Sequence, residues 1–230
     1  VGVAGFVAGT LEDRWILSRF NSVAAGVNES LKNYRFDEAA NQIYDFFWHD
    51  FCDWFLELIK PRFSFETDAD RGGTRTACAN LVGLLEASLR LLHPVMPFIT
   101  EEIWHAIYDG KPPLKSLALA EYPHKNEKQI DLAAETEMAI LQDLIVNIRN
   151  LRAELKVEQK QKVPIQVFAE DAAMRTLFQQ NRGAIERLGN VESIAFVETP
   201  QAQLPNSRHT DRFDVHMGYE RKIDVASETA

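Results

Sequence analysis

The chain has 230 residues, 46% of them hydrophobic and 26% charged, with a formal net charge of −9. That is enough chain for one large core or two smaller ones, and its balance is that of an ordinary globular protein. No apolar run reaches the roughly 18 residues of a membrane span. An acidic total argues against a bulk electrostatic grip on nucleic acid, and leaves room only for local basic patches.

The first residues, VGVAGFVAG, are apolar without a basic segment before them, so residues 1–10 read as a flexible lead-in, not a signal peptide. Helical spacing of Leu11, Trp15, Phe20, Val23, Val27 and Leu31 predicts a first helix. Residues 34–62, YRFDEAANQIYDFFWHDFCDWFLELIKPR, predict one long helix, with Asp37 as N-cap and Pro61 as its stop. Six large aromatics crowd its stretch 46–55: Phe46, Phe47, Trp48, Phe51, Trp54 and Phe55. They cover more of the circumference than a one-sided stripe would. Aromatics at helical spacing are mostly core, so Trp48, Trp54 and Phe55 are expected to be buried. Asp53, Glu57 and Lys60 follow at i, i+4 and i+7 and share a face, with Leu56 beside them.

FSFETDADRGG at 63–73 reads as a loop, and residues 74–92 as a third helix ended by His93-Pro94. Thr100 is the expected cap of a short fourth helix that Gly110 closes. DGKPPLKSLALAEYPHKNEK at 109–128 is a connection rich in Pro and Lys. It divides a helical bundle at 11–125 from a second module at 126–230. There a long helix spans about 127–155, followed by strands at 163–168, 191–198 and 212–217 and a helix capped by Asp171 and broken near Gly183. In the last strand Phe213 and Val215 should face inward, against Arg212, Asp214 and His216. YERKIDVA reads as a final strand. The fold class is mainly α with a small α+β module.

No catalytic constellation emerges. There is no Gly-rich phosphate loop, no HIGH-like or KMSKS-like signature and no nucleophile elbow. His49 and Cys52 lack the other ligands that a zinc site needs. Glu102-x-x-His105 echoes a di-iron motif, but its only second copy, Glu121 to His124, contains Pro123. Cys52 and Cys78 read as free thiols. Function must then come from binding, and these 230 residues are expected to catalyse no reaction by themselves. Basic residues concentrate at Lys60 and Arg62, at Arg71 and Arg75, and between Arg149 and Lys162.

RFDEAA followed by FFWHDFCDWFLELIKPR resembles the anticodon-binding helical domain of the valyl-tRNA synthetase family. DRWILSRFN at 13–21 is similar to the family's preceding helix, and LLEASLRLLHPVMPFITEEIW at 84–104 to its helix–Pro–helix. IRNLRAE at 148–154 with KVPIQV at 162–167 is similar to the following module. DRWIL and the HPxMPFxTEEIW pattern are shared with isoleucine and leucine enzymes, whereas WHDFCDWFLELIKP is the valine-like part. The resemblance implies the anticodon-binding bundle of a class I aminoacyl-tRNA synthetase. Its partners would be the anticodon stem-loop of tRNA(Val) and the catalytic and editing domains of the same enzyme, in the cytoplasm, with neither DNA nor membrane involved. It implies no cofactor here, ATP and Mg acting in a catalytic domain elsewhere. It also implies an upstream KLWNAxRF helix and a downstream helical arm. Leu56 is then the carry-over for an apolar contact to an anticodon base, with Asp53, Glu57 and Lys60 as polar contacts and Arg62 meeting phosphate. Arg149 and Arg152 are weaker candidates for the tRNA backbone. An isoleucine or leucine enzyme, or a helical interaction module without RNA, are the alternatives.

Overall fold

The computed structural model describes residues 3, 5–63 and 68–219, with only the backbone at 68–70. The chain forms two compact units, Val1–Met138 and Ala139–Ala230. The division falls inside one helix instead of at the expected 125/126.

In the first unit, α1 (Leu11–Lys32) is capped by Thr10, whose hydroxyl accepts from Asp13 N. Its apolar stripe buries Trp15, Phe20, Val23 and Val27. Tyr34, in the left-handed region at φ 59°, turns the chain into α2 (Phe36–Asp45). Asp37 does not cap it. Arg35 holds the N-cap position without a side-chain bond, and Asp37 lies in the first turn, where a carboxylate still favours the helix dipole. The helix then widens to i→i+5 bonding over Phe46–Phe55, returns to α geometry as α3 (Leu56–Ile59) and tightens to a 3₁₀ turn at Lys60–Arg62. Pro61 ends it as expected.

The expected loop at 63–73 is shorter, because α4 spans Asp68–Leu92 and runs through Gly72 and Gly73. Each glycine costs a helix roughly 1 kcal/mol against alanine, and tertiary contacts override that cost here. Buried Thr74 donates its hydroxyl to Arg62 O at 2.8 Å. The lead-in is also tied down: Val3 is buried, and both backbone polar groups of Val7 bond the Asn80 amide, at 2.9 and 2.8 Å.

α5 (Pro97–Ile107) starts at Pro97, not at Thr100. Proline suits the first helical position because its missing N–H has no partner there anyway. Thr100 is buried inside the helix and donates back to Met96 O. Gly110, at φ 71°, closes the helix through Gly110 N to His105 O at 2.8 Å. Leu89, Trp104 and Leu117 form a cluster with Leu85 and Ile103 that pins the α4–α5 corner.

The long helix α6 (Leu132–Glu154) begins later than expected, after a 3₁₀ turn at Glu127–Gln129. The Asp131 carboxylate accepts from Ala134 N at 2.9 Å. In the second unit Leu141, Leu144, Ile145, Ile148 and Leu151 of α6 are buried. The sheet order is β2-β1-β4-β3, from β1 (Ile165–Ala169), β2 (Ile194–Val197), β3 (Ser207–His209) and β4 (Phe213–Met217). β1 and β2 are parallel and joined through α7 (Ala172–Gln180) and α8 (Arg182–Leu188), while the other pairings are antiparallel. Asp171 caps α7 as expected. At Gly189 a Cβ would meet Ile185 O at 2.8 Å and Ile148 Cγ2 at 3.1 Å, so glycine lets α8 close on α6.

Two strand expectations need correction. β3 lies between the predicted strands at 191–198 and 212–217, where no strand was expected. Asp214 does not face solvent: it is 3% exposed, and its carboxylate accepts from Gln201 N, Ala202 N and the His209 ring. Residues 220 onward, with most of the predicted final strand, lie outside the described residues.

Candidate nucleic-acid interface

The change in hydrogen-bond ring explains how one helix carries six large aromatics. In an α-helix a step of five residues rotates the side chain well away from the starting face. The i→i+5 segment turns less per residue, so the same step lands much nearer the starting face. Phe46 and Phe51 are therefore both buried, and Phe55 continues the face at zero exposure. Phe46 meets Phe20 edge-on with centroids 5.7 Å apart, and Phe51 meets Phe55 at 6.0 Å. Asp50 sits beside this face and accepts from Arg19 Nε at 3.0 Å. Burial pushes its carboxyl above the usual range, and Arg19 opposes that shift in part.

The opposite face is open. Trp48 is not core: it is 53% exposed, stacked on exposed Tyr44 with centroids 6.4 Å apart and planes within 9°. His49 meets Tyr44 edge-on, and its Nδ1 lies 3.3 Å from Asp53 Oδ2. Tyr44 to Trp48 and His49 to Asp53 are four-residue steps, and Tyr44 to His49 is a five-residue step. Read at 100° per residue, Trp48 falls among the other aromatics. The signal that separates it is the spacing of the inward phenylalanines, Phe46, Phe51 and Phe55, by five residues and then four. Beside this face lies an apolar cleft of about 500 Å³. Tyr44, Phe47, Trp48, Met96 and Ile99 are among its lining residues.

The predicted flank is partly assembled. Asp53 and Lys60 are exposed, and Leu56 and Glu57 are half-buried. They present as pairs, with Asp53 against His49 and Lys60 bonded to Glu57. Arg62 is turned inward. Its Nη1 lies 2.9 Å from Asp13 Oδ2 and 3.3 Å from Glu12 Oε1, and it also donates to Thr10 Oγ1. With 21% of its side chain exposed, it acts on the entry to α1.

In the second unit Arg149 is exposed and donates from Nε to Leu188 O at 2.9 Å. Arg152, by contrast, is 7% exposed and donates to the carbonyls of Glu158 and Gln161. Burial lowers its pKa. Its side chain therefore fixes a loop in place. Among the described residues no group of three or more His, Cys, Asp or Glu is arranged to hold a metal. His49 is exposed and engaged with Asp53, and His105 Nε2 lies 3.3 Å from Glu101.

Residues 13–167 match the family described as the anticodon-binding domain of tRNA ligase. The chain is 36% identical over 206 residues to a valine–tRNA ligase of Solibacter usitatus, covering 90% of this chain and 22% of that protein. It is 35% identical over 216 residues to the Thermotoga maritima valine–tRNA ligase, covering 94% and 23%. With the Synechocystis valine–tRNA ligase it shares 39% over 197 residues, 85% of this chain and 21% of the relative. The chain thus spans about a fifth of the length of these curated relatives. With the family matched over 13–167, from α1 through α6, this chain belongs to the anticodon-binding domains of tRNA ligases.

Proposed function

We propose that this chain is the region of a valine–tRNA ligase that receives the anticodon stem-loop of tRNA(Val). ATP- and Mg-dependent aminoacylation would take place in a catalytic domain elsewhere in the same cytoplasmic enzyme, alongside its editing domain. The observation that carries this reading is the flank from Asp53 to Lys60. Within the family-matched region, a helix whose opposite side is core presents half-buried Leu56 beside an exposed carboxylate and an exposed ammonium. Loop bases of RNA are splayed out and read by apolar contact plus hydrogen bonds at their edges. Leu56 supplies the first, and Asp53, Glu57 and Lys60 the second. Opening the Glu57–Lys60 pair frees an acceptor and a donor at little cost, because exposed ion pairs contribute little.

The test is Leu56→Asp in the full-length enzyme. A new carboxylate against a base and its phosphate should lower the efficiency of tRNA charging at least about tenfold, or about 1.4 kcal/mol. Valine-dependent ATP–pyrophosphate exchange should stay unchanged, and discrimination against altered anticodons should weaken. Charging that is untouched by Leu56→Asp would remove Leu56 from the site. Equal loss on matched and mismatched anticodons, with native circular dichroism, would point to backbone repulsion instead of base reading.

A further inference from the structure

We infer that the loop between α6 and β1, residues 155–162, is a preformed basic clamp for the phosphate backbone of RNA. The inference rests on the RNA-binding reading above and concerns a different surface, in the second unit.

From Arg149 to Lys162 the sequence places five cations against two carboxylates in a chain whose total is −9. Lys156, Lys160 and Lys162 are all exposed. Of the two acids, Glu154 is engaged by Arg208 at 3.2 Å, and Glu158 alone lies among the lysines. A basic run is ordinarily a mobile, solvated loop, but the backbone of this one is fixed at several points. Lys156 holds φ at 53° and closes α6 with Lys156 N to Ala153 O at 3.1 Å and Val157 N to Arg152 O at 3.0 Å. A turn follows, Gln161 N to Glu158 O at 3.0 Å. Asn190 Nδ2 donates to Gln159 O at 2.8 Å. Arg152 then reaches under the turn and donates from one nitrogen to Glu158 O at 3.0 Å and Gln161 O at 2.9 Å.

Arg152 gives this architecture its electrostatic sense. A buried guanidinium is costly unless it is paired. A carboxylate partner would cancel its charge. These two partners are carbonyl dipoles, which take the hydrogens of Nη2, leave buried Nη1 without a partner, and keep the positive charge in place beneath the lysines. Fixing the loop in advance removes part of the ordering cost that binding otherwise carries. Three ammoniums within seven residues span at most about 20 Å of chain, a length that faces several phosphates of one strand. Lysine is a point charge without the planar fork that selects carboxylates, which suits a contact that positions RNA without reading sequence. Arg152 is thus a positioning residue, and Lys156, Lys160 and Lys162 make the contacts.

The experiment titrates the full chain with a tRNA(Val) transcript across a series of salt concentrations. The triple variant K156Q/K160Q/K162Q alters only exposed side chains. It should bind about tenfold more weakly, and the slope of log affinity against log salt should flatten by about 2 to 3, at roughly 0.7–0.9 per lost phosphate contact. Arg152→Met should weaken binding with most of the slope retained, because the three ammoniums remain but their loop is loosened. A purely structural Arg152 would lower the unfolding temperature and leave affinity alone. If the triple variant binds with the wild-type slope, the clamp is refuted while the anticodon reading stands. If the wild-type chain shows no saturable binding to the transcript, both fall. Poly-glutamate binding with the same loss of slope would assign the loop to acidic polypeptides and overturn the RNA assignment.

Discussion

Phe55→Ala is expected to lower the stability of the helical unit by about 3–5 kcal/mol, the range for deleting a fully buried aromatic and leaving its cavity. Phe55 has no exposed surface and touches Phe51 on the packed face. Trp48→Ala, on the same helix, should cost less than about 1 kcal/mol, as expected for a surface position, because Trp48 is half exposed and loses only its stack on Tyr44. Thermal unfolding of the two variants side by side decides the matter. Phe55→Ala should drop the midpoint by about ten degrees or more, with Trp48→Ala close to wild type. A large drop for Trp48→Ala would mean that the outward face of the wide segment is packed after all.

Arg62→Met should be comparably damaging, for an electrostatic reason. Asp13 has 1% of its side chain exposed and faces the Arg62 guanidinium at 2.9 Å. Removing the cation leaves a buried carboxylate without its counter-charge, a change that costs about 3–5 kcal/mol. The double variant Asp13→Asn with Arg62→Met should recover much of that loss, since the orphaned charge is gone. Urea denaturation of the two single variants and the double variant measures the coupling. A coupling energy near zero would show that the pair is a surface contact, and would return Arg62 to the group of side chains available to phosphate.

These two cases also show what the sequence carries and what it hides. Local signals were legible: Asp171 as a cap, Gly110 as a stop, Pro61 as a terminator, and the inward Phe213 and Val215 of β4. The valine-like motif pointed to the right family and placed Asp53, Leu56, Glu57 and Lys60 on one helix. What was not legible depends on partners distant in the chain. Arg62 looks like a free cation until α1 brings Asp13 to it. Asp214 looks outward-facing until the chain at Gln201 and Ala202 aims two N–H groups at it. Arg152 looks like a surface arginine until the turn at 158–161 folds over it. Trp48 is a different kind of miss, because the angular step between residues changed within the helix itself.

That change of step has a bearing on how the helix tolerates length variation. The stretch Phe46–Phe55 acts as a phase adjuster between two ends, each of which has its own inward side: Ala39 and Ile43 before it, Leu58 and Ile59 after it. Deleting a single residue there would rotate everything downstream by roughly a quarter turn and shorten the helix by one residue's rise. Leu58 and Ile59 would swing toward water, Lys60 would be dragged inward, and the Asp13–Arg62 pair would part. Point substitutions on the outer side therefore leave the packing in place, while a one-residue gap in the same ten positions dislocates both the core and the flank from Asp53 to Lys60 at once.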